Sequence, residues 1–332
     1  MDVFILALFA HTDKMRPSTL YQLLTGKRTS SVLSYGCFYD RLGLFQALPD
    51  LTEEAFQQQI DQMLRQGALV SDPTGLIQTV DQGEDTRAGY TDILAAASFY
   101  RYGRTWQSVW RLLRLLIQAA SYQGVTNQYI PVENTPMYTE PVRQILRQVP
   151  NAKDKLFQEL WQIFEQMPAE KADFLAGTLT GPHVLGKTFF QLVPEGYQEK
   201  PWQHLYTAAA IQHFIALVEA QQESVLYRSI APFLQQNANQ SMLETQRLFQ
   251  EGLSVKEIMH QRNLKEGTVN DHLIEWALLD QNFPYARFDR QIYRLLPASS
   301  WQYRYQDLQQ LLGADFLPIR LFQIAQKRGI IC

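Results

Sequence analysis

Two cysteines in 332 residues, Cys37 and Cys332, are too few for a disulfide framework or a thiolate metal set. Such a chain suits a reducing compartment, and a cytoplasmic protein is expected. Long apolar runs are missing as well. The apolar start, DVFILALFA, is far shorter than the roughly 20 residues of a membrane helix, lacks a basic leader region and runs into His11-Thr12-Asp13. It reads as a buried first helix, with no membrane partner expected. His204 and His213 have no carboxylate or thiol at ligand spacing, so no metal and no cofactor is implied. A bulk charge of one sign is also lacking: 30 Lys and Arg face 33 Asp and Glu, for a net charge of −3. Overall electrostatics therefore do not announce a nucleic-acid ligand.

What is present is local bias. By residue count the segments 1–83, 84–155, 156–236, 237–282 and 283–332 carry −3, +3, −4, −3 and +4. The length allows two or three domains, and the pattern predicts a mainly α, multi-module protein. In 1–83, helices over 3–10, from Pro17, over 30–39 and from Thr52 precede two short β runs around Ser71-Asp72-Pro73-Thr74-Gly75, a hairpin signal. Helices followed by a hairpin predict a winged-helix-like module, although Asp72 makes its tip a poor phosphate binder. The polar stretch 82–89 reads as a linker. Residues 84–236 then form a helical middle domain.

Within that domain, Arg101, Arg104, Arg111 and Arg114 alternate with Tyr100, Tyr102, Trp106 and Trp110 over a helical stretch from Thr91 to about Gln123. Such a mixture suits stacking on unpaired bases; it equally suits an aromatic core with arginines at its rim, and the rim is the preferred reading. Gly181-Pro-His-Val-Leu-Gly186-Lys187-Thr188 satisfies the phosphate-loop expression. Its approach, KADFLAGTLT, is a poor core strand, the residues between the glycines are bulky, and alternating strands and helices are not visible. The match reads as accidental, with Lys187 and Thr188 the residues a nucleotide hydrolase would need. No acid–base pair or nucleophile constellation is present, so a non-enzymatic protein is expected.

The most informative stretch is 243–279, LETQRLFQEGLSVKEIMHQRNLKEGTVNDHLIEWALL. Gly252 ends one helix, Ser254 and Glu257 form a capping box for a second, and Arg262-Asn263-Leu264 turn the chain into a third from about Lys265. Ile258, Met259, Leu264, Val269 and Leu273 close a small core, with Trp276 or Ala277 continuing the stripe. This is the pattern of a helix-turn-helix, within a domain expected over 237–332. Glu266, Asn270, Asp271 and Glu275 are read as outward on the third helix, where carboxylates repel phosphates. Cationic contacts then fall to Lys256, Arg262 and Lys265 at the turn, with Thr268 and Asn270 at the helix start, and to Arg287, Arg290, Arg294 and Arg304 in the aromatic tail.

On Leu253-Ser254-Val-Lys-Glu257-Ile258 and Glu266-Gly-Thr268-Val269-Asn-Asp-His272-Leu273, the region over about 240–280 resembles the helicase-associated helix-turn-helix domain found at the ends of some RecQ-type helicases and of the YpbB-like proteins of Firmicutes. The resemblance implies a RecQ-like DNA helicase as partner, a role in DNA recombination or repair, and no catalytic residues. The expected function is accessory: non-specific DNA binding, docking of the helicase, or both. The alternatives are a sequence-specific transcription regulator and, through Lys187 and Thr188, a nucleotide hydrolase.

Overall fold

The computed structural model describes residues 2–9, 15–73, 75–79, 88–126 and 128–330. Residues 82–87 of the linker expected at 82–89, Thr74 of the hairpin turn and Cys332 lie outside them, while Ala88 and Gly89 begin a helix. The chain opens with α1 (Asp2–Leu8), α2 (Pro17–Thr25), α3 (Ser30–Phe38) and α4 (Glu53–Arg65), then the hairpin β1 (Leu69–Ser71) and β2 (Ile77–Thr79). Next come α5 (Ala88–Ala96), α6 (Phe99–Tyr102), α7 (Trp106–Tyr122), α8 (Pro136–Gln148), α9 (Ala152–Glu165), α10 (Ala169–Ala176), α11 (Phe189–Leu192), α12 (Trp202–Glu219) and α13 (Val225–Leu234). The remaining helices are α14 (Gln240–Gln250), α15 (Val255–Arg262), α16 (Glu266–Leu279), α17 (Arg290–Leu295), α18 (Tyr305–Leu312) and α19 (Phe316–Lys327). The protein is thus mainly α, with one two-stranded hairpin among the described residues.

Two compact units result: residues 1–8 with 81–237, and residues 9–80 with 238–332. Residues 9–80 of the segment read in the sequence as the first module thus fold into one unit with the last, where α16 packs on α3 as well as on α14 and α19.

In the unit of 81–237, α12 is the centre. Leu205, Tyr206, Ala208, Ala209, Ala210, Ile211, Phe214 and Ile215 bury all its faces, as a helix apolar on every side must. α7 lies against it with Trp106, Val109, Trp110, Leu113 and Leu116 inward. The alternating arginines form the rim: Arg101 pairs with Glu219 at 3.0 Å, Arg111 with Glu133 at 3.6 Å, and Arg114 donates to the Thr178 carbonyl at 3.2 Å. The stretch 91–123 is broken into α5, α6 and α7. At the first break the Ser98 N–H leaves the helical ladder and donates to Gln212 Oε1 at 2.6 Å. At the second, a Cβ on Gly103 would meet the Phe99 carbonyl oxygen at 2.4 Å.

The phosphate-loop expression falls on a different geometry. No strand leads to Gly181; α10 precedes it, and the short α11 begins only after Thr188. The loop's amides are spent within the fold: Gly181 N–H donates to Val184 O at 2.8 Å, Gly186 N–H to Thr180 Oγ1 at 3.0 Å and Lys187 N–H to Gly177 O at 2.8 Å. A phosphate cradle needs those donors free.

The other unit begins with helices stopped and started by local chemistry. Pro17 opens α2 and Gly26, at φ +90°, ends it; Thr29 and Thr52 cap α3 and α4 by accepting from Val32 N–H and Ala55 N–H. The hairpin pairs Leu69 with Thr79 and Ser71 with Ile77, and Met15 bridges Ile77 from its other edge.

Candidate nucleic-acid interface

The helix ends and the turn of the helix-turn-helix are set by contacts within four residues. Gly252, at φ +103°, ends α14. Ser254 Oγ accepts from Glu257 N–H at 3.3 Å while the Glu257 carboxylate accepts from Ser254 N–H at 2.7 Å, closing the capping box of α15. That Ser254 N–H, and then the Ser254 hydroxyl donating at 2.7 Å, hold the Glu257 carboxyl below the usual glutamate range. Asn263 turns the chain in the left-handed region at φ 51°, ψ 47°, and Lys265 stands at the N-cap of α16. Ile258, Val269 and Leu273 are buried between the helices, with Met259 and Leu264 half-buried.

The fate of α16 differs from that of a helix free to enter a groove. From His272 to Leu278 every residue is buried. Only its start is accessible: Lys265, Glu266 and Gly267 are exposed, and Thr268, Asn270 and Asp271 are half-buried. Glu275, expected to face outward, is 3% exposed. It lies 3.0 Å from the Arg28 guanidinium and accepts from Asn239 Nδ2 at 2.9 Å. The correction has a physical cause: Arg28, far away in sequence, supplies the opposite charge that makes a buried carboxylate tolerable. Asn239 carried a readable signal, since its Oδ1 caps α14 by accepting from Met242 N–H at 3.2 Å; Arg28 carried none.

The nine residues expected to bind DNA separate into three groups. Two cations, Arg262 and Arg287, are spent on the fold, and Arg304 is held only in an exposed pair. Arg262 donates to Ser241 O at 2.7 Å, to Ser241 Oγ at 2.9 Å and to Thr245 Oγ1, tying α15 to α14. Arg287 stacks 3.8 Å from the Phe249 ring centre and donates to the carbonyls of Phe249, Gly252 (3.1 Å) and Leu253 (3.0 Å), so it closes the C-terminal end of α14. Arg304 is bonded through two nitrogens to Asp307, both at 3.1 Å. Lys256, Lys265, Arg290 and Arg294 are exposed. Thr268 and Asn270 lie in the first five residues of α16, both half-buried, with Asn270 Oδ1 turned inward.

A buried polar chain supports this face. His272 Nδ1 lies 2.8 Å from Thr245 Oγ1, which also accepts from the Arg262 guanidinium. Burial first, and the Arg262 charge second, hold the His272 pKa below its ordinary value, with Asp271 opposing. The folded state thus prefers neutral His272. Above pH ~6.5 the group contributes no pH dependence; below it the unfolded chain takes up a proton that the fold refuses. Stability of this unit is expected to fall by up to about 1.4 kcal/mol per pH unit as pH drops below ~6.5. His272→Gln should flatten that slope in urea unfolding series, and an unchanged slope would assign it elsewhere.

Comparison with known proteins agrees with this geometry. Residues 241–316 match the family model described as a helix-turn-helix domain. The match runs through α17 and α18, so the aromatic, arginine-containing segment after α16 is part of the domain. Over 298 residues the chain is 22% identical to Protein YpbB of Bacillus subtilis (strain 168), covering 85% of this chain and 83% of that protein. No solved structure matches. The chain therefore carries a helix-turn-helix domain at 241–316 within a mainly helical protein similar to Protein YpbB along most of both lengths.

Proposed function

We infer that this chain is a non-enzymatic accessory protein of a RecQ-like DNA helicase, acting in DNA recombination or repair and touching the DNA backbone without reading its sequence. The observation that carries this reading is the burial of α16 from His272 onward. A recognition helix lies in the major groove and reads base edges with side chains near its N-terminus. Here only the residues before His272 can approach, and they carry Glu266 and Asp271, whose carboxylates disfavour the groove. Phosphate contacts position a protein without specifying sequence, and Lys256, Lys265, Arg290 and Arg294 are the exposed cations suited to them. The acidic start of α16 in turn suits a basic surface on the helicase. The first helices and hairpin are read as a winged-helix-like support, with Asp72 at the hairpin tip keeping that element off the phosphates.

Fluorescence anisotropy with mixed-sequence duplex, single-stranded and forked DNA tests the DNA half. Binding is expected to weaken steeply with salt. Lys256→Gln, Lys265→Gln, Arg290→Gln and Arg294→Gln together should reduce the slope of log K against log salt by about 0.9 for each phosphate contact removed. No binding at low salt would sink this half, and a sequence motif returned by selection from random duplexes would replace it with a transcription regulator. The helicase half fails if the chain neither co-purifies with a RecQ-like helicase nor changes its unwinding rate.

A further inference from the structure

Helix α9 holds two large rings on the outside of the molecule. Phe157 is 66% exposed and Trp161 60%, while Leu156, Leu160 and Ile163 of the same helix are buried. The ring centres are 6.3 Å apart, and Trp161 Nε1 donates to Glu165 Oε1 at 2.6 Å. Lys153, Phe157, Trp161 and Glu165 follow one another at intervals of four, so they form one row along the helix, and all four are exposed. The adjacent exposed row, Gln158, Gln162 and Gln166, is uncharged. Exposed apolar side chains grouped between polar ones are a feature of interaction surfaces.

Two properties of the row define its occupant. The first is the sense of its charges. Lys153 is the second residue of α9 and Glu165 the last, so the cation stands at the positive end of the helix dipole and the carboxylate at the negative end. Both are unfavourable for the helix itself. Neither has an ion-pair partner within the chain among the described residues. The second property is symmetry. Phe157 and Trp161 are the middle of the row, and the two charges lie four residues outside them. A second copy of α9 laid antiparallel, with a twofold axis between the rings, sets Phe157 on Trp161 of the other copy. The same register brings Lys153 to Glu165 of the other copy.

A twofold contact has to be self-complementary, and this row meets that condition twice over, ring on ring and cation on carboxylate. Rows spaced by four are also the ones that interdigitate in the commonest helix packing, at about −50°. The ends of α9 agree: Lys153, Asp154 and Lys155 give the first turn a net +1, and Glu165 gives the last turn −1. A foreign surface of either sign would match one end and oppose the other.

We propose that α9 is the contact through which two copies of this chain form a reversible antiparallel dimer, with Phe157 and Trp161 at its centre. A single helix pair lies at or below the roughly 1,200 Å² at which standard interfaces begin, so association in the micromolar range is expected. The contact lies in the unit of 81–237 and does not rest on the DNA or helicase reading.

Sedimentation velocity of the full chain between about 1 and 200 μM tests the proposal. The wild-type chain is expected to pass from monomer to dimer across that range. Phe157→Ser combined with Trp161→Ser should stay monomeric throughout. Lys153→Glu and Glu165→Lys should each weaken the dimer about tenfold, because in a twofold contact one substitution replaces two attractions by two repulsions. Together, Lys153→Glu and Glu165→Lys should restore the wild-type dissociation constant to within about threefold, as only the antiparallel register allows. These side chains are exposed and the reversed charges suit the helix dipole, so the charge variants should keep the wild-type urea midpoint. A wild-type chain that is monomeric up to about 200 μM overturns the proposal. A dimer that survives loss of both rings, or that the double reversal does not restore, overturns it as well.

Discussion

Glu275→Ala is expected to lower the stability of the unit formed by residues 9–80 and 238–332 by about 3 kcal/mol, the lower part of the range for breaking a buried ion pair. The carboxylate is 3% exposed, lies 3.0 Å from Arg28 and accepts from Asn239 Nδ2. Its removal takes the carboxylate away from a guanidinium whose side chain is 21% exposed, and it deprives the amide of the residue that caps α14 of an acceptor. The partial exposure of Arg28 places the effect at the low end. Replacing both charges, Arg28→Met with Glu275→Met, should recover most of the loss, since a buried pair exchanged for apolar residues of similar volume is often close to neutral. Urea unfolding of the two single variants and the double variant measures the coupling. An additive cycle would show that the pair contributes nothing specific.

Trp110→Ala should cost the unit of 81–237 about 4 kcal/mol, in the range for deleting a buried tryptophan. The indole is 2% exposed, meets Phe214 edge-on at 5.4 Å and donates from Nε1 to Thr178 Oγ1 at 3.3 Å. That hydroxyl passes the bond on to Leu175 O at 2.7 Å, so the substitution opens a cavity and also removes a donor from a buried chain. Hydrogen exchange of the α7 and α12 amides should quicken roughly a thousandfold, the equivalent of about 4 kcal/mol where opening is governed by unfolding of this unit. The same measurement decides what the aromatic–arginine alternation is for. If Trp110 were a stacking platform for unpaired bases, its loss would weaken single-stranded DNA binding and leave exchange nearly unchanged.

Much of the helix-turn-helix was legible because its punctuation is local. The Ser254–Glu257 box, the left-handed Asn263 and the terminating Gly252 each act through bonds reaching only a few residues along the chain. The hairpin was legible for the same reason: Asp72 Oδ1 accepts from Leu76 N–H at 3.1 Å and Gly75 takes φ +76°. Charge was not legible in this way. Glu275 and Asp271 look alike in a helical pattern, yet one is buried against Arg28 and the other is half-buried at the accessible end of the helix. Arg287 and Arg290 belong to one run of alternating aromatics and cations, but only Arg287 meets the open carbonyls that end α14.

Helix type, helix ends and the turn between α15 and α16 were thus determined by the sequence itself, because capping, left-handed turns and apolar periodicity are short-range. The tertiary structure alone decided which ionised side chains remain available to a ligand. A charge is spent or left over according to what a distant segment brings within about 3 Å, and residues 15–79 bring Arg28 and α3 against α16. That long-range packing is also what buries α16 from His272 onward.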